Sequence, residues 1–373
     1  MATTFKNFQS NDLANTRTLL HEAIPITGSI VSGTYADENV KTYGHGMFTS
    51  VYDYPFLSSS ANQIFDTTVG VSADSNIHAS VTSQKAKKLN IYNQMAQYLV
   101  GYDDAGSIKK FVIPEGNITM NDIFVIPFSR LLAKDEIKKG SFSLELGLSS
   151  SFVETGTTFN VRGKLIDFSG SDGYFVDSPA GEYGILYGTS SVIGTSNGVF
   201  AGETLGNSAT MPAVGLIYYQ AGIVVISGSA FNANAGGGAL KNFSGGTGPG
   251  TMEFGTNFGT TGFDAVTGST IDTMSTALRN RIFNISFNNT TELNSTIYFA
   301  RASHTDFNYS SNPTYLSGSE IRVKVRPSDT PVAYFTTVGL YSADNELLAV
   351  AKLSEPLRKD PTNELTLRVR LDY

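Results

Sequence analysis

The chain has 373 residues and a formal net charge of −7, and only 16% of its residues are charged, against about 25% in typical soluble domains. It contains no cysteine, which excludes disulfide staples and thiolate metal sites. No Lys/Arg run exceeds two residues, which excludes a polybasic nucleic-acid footprint.

Gly, Ser, Thr and Asn fill the place of the missing charge. Together with 24 Phe and 18 Tyr they favour strands and tight turns over exposed helices. Such a composition suits surfaces covered by partners, because interface cores are poor in charge and rich in aromatics. A self-standing β domain with a polar, uncharged surface fits it equally. The length allows two or three domains. Residues 1–5 lack the basic and apolar regions of a signal peptide. No apolar stretch reaches the ~20 residues of a membrane span. The expectation is a chain made in the cytoplasm without a membrane span.

Residues 1–80 form the first expected region. Residues 15–23 suggest a short helix, stopped by Ile24-Pro25. Beyond them come Tyr35, Tyr43, Phe48, Tyr52, Tyr54, Phe56 and Phe65, set among turn formers without clear periodicity. Disordered segments are poor in aromatics, so this reads as an extended N-terminal arm. Either it packs on another subunit or it wraps its own chain. Phe5, Phe8, Tyr52, Tyr54 and Phe56 are large apolar groups without an obvious local core, and they are the candidate interface residues of the arm.

Residues 81–314 form the expected central β-rich domain. The spacing of Leu89, Tyr92, Met95 or Ala96, and Leu99 predicts a helix over 84–100, ended by Gly101. Lys85, Lys87 and Lys88 lie in its first turns, where the helix dipole disfavours them. They read as solvated groups, with a carboxylate partner as the alternative. A second helix is expected over 129–139, with Lys138, Lys139 and Gly140 as its stop. Strands follow over 142–146, 158–168 and 181–187. Residues 214–226 are apolar at nearly every position, the pattern of a doubly covered strand or strand pair, with Gly222 at a bend. The glycine-rich stretch 232–262 reads as a long loop. A third helix is expected over 270–280, with Ile271, Met274 and Leu278 on one face. Residues 281–287 and 296–302 then read as a hairpin across 288–294.

Residues 315–373 form the expected C-terminal β module. Residues 320–326 alternate Ile321, Val323 and Val325 with Arg322, Lys324 and Arg326. Two further strands flank Ser342-Ala343-Asp344-Asn345. The last strand alternates Leu365, Leu367, Val369 and Leu371 with Thr366, Arg368, Arg370 and Asp372. Strict alternation predicts one buried and one wet face. If the two Arg/Lys faces adjoin, Arg322, Lys324, Arg326, Arg368 and Arg370 form a basic stripe that serves for docking. Solvated positions on a half-buried sheet are the plainer alternative.

Catalytic patterns are weak. Gly194-Thr195-Ser196-Asn197-Gly198 matches an esterase string, but no helical pattern follows the serine. The glycines at 246, 248 and 250 lack the lysine and helix start of a phosphate loop. His21, His45, His78 and His304 are dispersed, without metal-ligand spacing. Glu115, Glu136, Glu145 and Glu154 show no glycosidase pairing. The expectation is a non-enzymatic protein with no cofactor and no metal.

Several stretches carry a resemblance to a known family. They are TRTLLHEAIPITGSI, HGMFTSVYDYPFLSSSANQIFD, LNIYNQMAQYLVGYD, LLAKDEIKKGSF, GEYGILY, VGLIYYQAGI and VGLYSADNELLAVAKLSEPLRKDPTNELTLRVRLDY. The chain resembles virion structural proteins of T-even-like contractile-tailed bacteriophages, particularly those of marine cyanobacteria. The resemblance implies a non-enzymatic subunit of the phage particle, in the tail or baseplate, with the neck or capsid as the alternative place. Its partners would be other virion proteins, in homo- or hetero-oligomers, and not nucleic acid. A receptor- or carbohydrate-binding β module is the rival reading, and the lack of Trp counts against it. The expected fold is mainly β with a minor helical part, a multi-module sheet or sandwich with an extended arm.

Overall fold

The computed structural model describes residues 5–27, 38–75, 83–147, 162–188, 213–228, 270–279, 282–310, 315–317, 320–321, 326 and 328–373. The elements begin with a 3-10 turn at Ser10–Asp12, β1 (Leu13–Thr27), β2 (Val40–Thr42), β3 (Thr49–Tyr52) and β4 (Gln63–Val71). Next come helix α1 (Ser83–Leu99), β5 (Val112–Ile113), β6 (Ile118–Thr119), β7 (Asp122–Pro127), helix α2 (Arg130–Ala133) and β8 (Glu136–Ile137). The middle of the chain adds β9 (Ser143–Gly147), β10 (Arg162–Ile166), β11 (Phe175–Ser178), β12 (Gly181–Gly188), β13 (Ala213–Tyr218) and β14 (Ile223–Ser227). Helix α3 (Ile271–Arg279), β15 (Ile282–Ala302), β16 (Leu316–Ser317), β17 (Glu320–Ile321), β18 (Ala333–Tyr341), β19 (Leu347–Lys359) and β20 (Leu365–Asp372) complete it. The protein is mainly β.

Two compact units divide the chain. One comprises Met1–Leu20 and Glu292–Tyr373; the other is His21–Thr291. The sequence had suggested boundaries near 80 and 314, but compositional shifts do not report which strands pair. Residues 40–71 in particular are not a structureless arm. They hold β2, β3 and β4, and Val51 and Phe65 are fully buried.

In the larger unit the strands run in the order β15-β9-β10-β12-β13-β14-β7-β4-β3-β2. Its central hairpin explains the continuous apolar run over 214–226. Leu216, Tyr218, Ile223 and Val225 pack on one side, with Tyr92, Ala96 and Leu99 of α1. Ile217, Tyr219, Val224 and Ile226 pack on the other, with Ile271, Met274 and Leu278 of α3. Both faces are covered, so neither needs polar residues. Gly222 turns the chain between β13 and β14 at φ +66°, a left-handed conformation that glycine adopts freely. Tyr218 pairs with Ile223 across that turn.

Helices α1 and α3 match the expected positions. The second expected helix is cut to Arg130–Ala133. Lys134, at φ +56°, leaves the helical path, and Glu136–Ile137 pair with Thr290 and Asn289 of β15. Residues 15–23 are strand and not helix, because pairing with β15 outweighs a weak local preference. Pro25 is tolerated because β1 lies at the end of the strand order. The expected hairpin over 281–302 is one continuous strand, β15. Asn289 looks like a turn former, yet its side chain accepts the Glu22 N–H (3.1 Å) and donates to the Leu132 carbonyl (2.9 Å). Tertiary partners thus satisfy the polar groups that suggested a turn.

In the smaller unit β20 pairs antiparallel with β15, from Ser295↔Asp372 to Ala302↔Leu365. β18 and β19 form a separate two-stranded antiparallel ribbon. The turn over 342–345 closes it, with Ser342 N–H donating to the Glu346 carbonyl (2.9 Å) and Asn345 at φ +64°.

Candidate functional site

Most polar groups buried in the larger unit have structural duties. The Asp167 side chain is fully buried. Its carboxylate accepts the N–H groups of Gly140 and Phe142, each at 2.8 Å. Burial pushes its pKa up to about 6 against the pull of these donors, and the Tyr219 hydroxyl stands beside it. It holds the turn that leads into β9. Glu136 and Glu182 converge on Lys139, at 3.7 and 2.5 Å. Burial opposes that ammonium, but the two carboxylates outweigh it and hold its pKa above the ordinary range. Lys139 thus ties the two carboxylates into one ion-paired cluster.

Lys88 is the residue of α1 that the sequence misplaced. It is 2% exposed and not solvated. Burial lowers its pKa to about 8, and Asp122 acts in the opposite sense. Lys87 donates to the His45 carbonyl (2.9 Å). Position 88 lies four before Tyr92 on the covered face, so helical spacing held the signal; the charge of lysine masked it.

The described histidines make local polar contacts. His21 Nδ1 meets the Thr290 hydroxyl (3.2 Å). His45 Nδ1 accepts the Met47 N–H (3.1 Å), and its ring stacks on Tyr43. His304 pairs with Glu364 (3.1 Å). Glu115 accepts from the Tyr187 hydroxyl, and Glu145 lies 3.8 Å from Lys164. Among the described residues no three His, Cys, Asp or Glu side chains converge as a metal site. His78, Glu154, the 194–198 string and the glycines at 246–250 lie outside the described residues.

The residues proposed from sequence as an interface fall into separate places. Phe5 meets Tyr341 edge-on at 4.9 Å, and Phe8 packs on Tyr298 at 5.5 Å, within the smaller unit. Lys6 donates to Asp306 (2.5 Å) and Ser303 (3.1 Å). This stretch of arm therefore lies on its own chain, with Phe5 45% and Phe8 38% exposed. In the larger unit Tyr52 stands 6.5 Å from Phe56, and Tyr54 is 60% exposed.

Arg368 and Arg370 share one face of β20. Opposite them on β15 are Phe299 and Ile297. Arg370 is engaged with Asp372 (2.6 Å) and Ser295 (3.0 Å). Arg326 is exposed, and its backbone N–H donates to Asp329 (2.9 Å). Arg322 and Lys324 lie outside the described residues, so a joint stripe has no geometry to report.

Sequence reasoning missed a group of exposed apolar side chains on the β18–β19 ribbon. On the β18–β19 ribbon Leu340 is buried, but Tyr334, Tyr341, Leu347, Leu348, Val350 and Leu357 are exposed; Leu348 reaches 68% and Val350 54%. Tyr341 and Leu347 close over Gly339, where a Cβ would come within 2.9 Å of the Tyr341 ring. A ribbon of two strands has too little sheet behind it to cover a face. The β20 leucines are likewise only half-buried or exposed.

No protein-family model, characterised protein or solved structure matches this chain.

Proposed function

We propose that this protein is a non-enzymatic structural subunit of a contractile-tailed bacteriophage particle, placed in the tail or baseplate, and that it acts through subunit–subunit contacts. The observation that carries the reading is the apolar surface of the β18–β19 ribbon. Six large apolar side chains stand exposed on one short hairpin. An isolated two-stranded ribbon is marginal in water, so the large apolar groups it leaves exposed are suited to cover by a partner. Fully burying a large apolar side chain is worth ~1.5–3 kcal/mol; these, 36–68% exposed, gain only the matching fraction, before the entropy of ordering is subtracted. The likeness of the N-terminal, central and C-terminal stretches to virion proteins supports the same reading, as does the low charge of the chain.

The test is incorporation. Phage particles assembled with L348E/V350E in the full chain should contain at least tenfold less of this protein, while the isolated variant keeps the circular dichroism and melting temperature of the wild type. Both residues are exposed in the isolated chain, so the fold should survive the charges. If purified particles lack the wild-type chain, the reading is wrong. Unchanged incorporation of the variant would remove the ribbon from it.

A further inference from the structure

We propose that the edge of β18 with which no described strand pairs is a pairing edge for a second copy of this chain, joined antiparallel about a two-fold axis. The inference rests on the structural-subunit reading and names the surface and the partner.

The argument starts from how strand edges are protected. An open edge exposes unpaired N–H and C=O groups, and proteins blunt such edges with charge, proline, bulges or short length. The long edges of this fold carry these devices. β1, at the end of its strand order, holds Arg17, Glu22 and Pro25. β20, which pairs only with β15 among the described residues, holds Arg368, Arg370 and Asp372. β19 holds Lys352, Glu355 and Pro356, and its pairing with β18 breaks between Phe335 and Thr337, where β19 bulges. β2, β11, β16 and β17 are four residues or fewer.

β18 is different. Its sequence AYFTTVGLY has no charge and no proline over nine residues. Among the described residues it pairs with β19 on one side and with no strand on the other. Tyr334, Thr336, Thr337 and Tyr341 are exposed. β-branched and aromatic residues at most positions give it the strand preference that a pairing edge needs.

Charge selects the occupant. In a two-fold pair the same strand meets itself, and residue i faces j as j faces i. A register centred on Val338 sets Phe335 against Tyr341 of the second copy, twice. It sets Thr336 against Leu340 and Thr337 against Gly339 in the same way. No like charges meet, and two aromatic cross-strand pairs form. The other long strands, β1, β19 and β20, would each bring charged side chains onto this uncharged row. Edge pairing of this length buries less than a standard interface, so the dimer is weak in isolation and strengthens when the particle holds many copies together.

The experiment uses the full chain in solution. Sedimentation across a dilution series should show a concentration-dependent dimer of the wild type. T336K/T337K places like charges beside the axis and should raise the dimer dissociation constant at least tenfold, with an unchanged circular dichroism spectrum. T366K, on the already charged β20, should leave it unchanged. A second measurement does not depend on charge tolerance. The chain has no cysteine, so V338C should give a disulfide-linked dimer on mild oxidation, while T366C should not. A wild type that stays monomeric at every concentration, or a T336K/T337K dimer as tight as the wild type, overturns the inference and leaves the structural-subunit reading standing. A wild-type chain that dimerises but is absent from purified particles supports the pairing edge and overturns that reading instead.

Discussion

A Cβ placed on Gly70 would lie 2.9 Å from the Cα of Tyr92 and 3.0 Å from its backbone nitrogen. Helix α1 therefore rests directly on β4, backbone on backbone, at the point where the strand has no side chain. Gly70→Ala must push the helix away from the sheet, since a backbone atom cannot rotate aside. Overpacking of this kind costs about 1–3 kcal/mol. The expected result is a melting temperature lowered by roughly 1–2 °C per kcal/mol in a chain of this size, read by calorimetry. An unchanged melting temperature would show that the helix seat is soft.

The hydroxyl of Tyr92 donates to the Met120 carbonyl (2.8 Å) and accepts the Phe111 N–H (3.1 Å). It joins α1 to the two chain segments that flank β5 and β6. Tyr92→Phe keeps the ring but leaves a buried donor and a buried acceptor without a partner. That loss is about 1–3 kcal/mol. Hydrogen exchange should locate it, with the Phe111 amide losing protection first.

Asp167 makes stability depend on pH. Its folded pKa is about 6 against an ordinary 3.8, because burial disfavours the charge. The folded chain therefore holds a proton that the unfolded chain has released between these values. The stabilisation is fully present below about pH 4 and is lost as pH rises through 6. A shift of this size corresponds to about 2–3 kcal/mol. Denaturant melts of the wild type and Asp167→Asn should differ in slope between pH 4 and 7, with the variant flatter. Asp306 works in the opposite sense at lower pH. The Lys6 and Ser303 side chains that bond to it hold its pKa down at about 2, so its contribution disappears as pH falls through that value.

Lys359 anchors the smaller unit. Its side chain is fully buried, and its ammonium donates to the Asn308 side chain (2.6 Å), the Asp360 carbonyl (2.8 Å) and the His304 carbonyl (3.4 Å). The same segment receives Lys6 through Asp306 and Ser303. Lys359→Met keeps the bulk and removes the donors, each bond to a charged group being worth about 1.5–3 kcal/mol. The amide of Asp306, which donates to the Ser303 carbonyl, should exchange faster by a factor of ten or more. Exchange at the wild-type rate would mean that the segment holds itself in place.

The sequence by itself determined the mainly β class, the two main helices and the doubly covered hairpin. Those features rest on local period and local stops: the spacing from Tyr92 to Leu99, the unbroken apolar run over 214–226, and Gly222 at its bend. Such signals need no knowledge of distant partners. Only the tertiary structure decided the rest. Asn289 reads as a turn residue until the Glu22 N–H and the Leu132 carbonyl are in reach. Lys88 reads as solvated until Asp122 lies near. Residues 15–23 read as helix until β15 offers a ladder. β20 alternates strictly, yet alternation states which side chains share a face and not whether anything covers it, and Leu371 is exposed. Val350 and Leu348 are exposed because cover is a property of what packs behind a strand, and neither the period nor the composition of the strand contains that information.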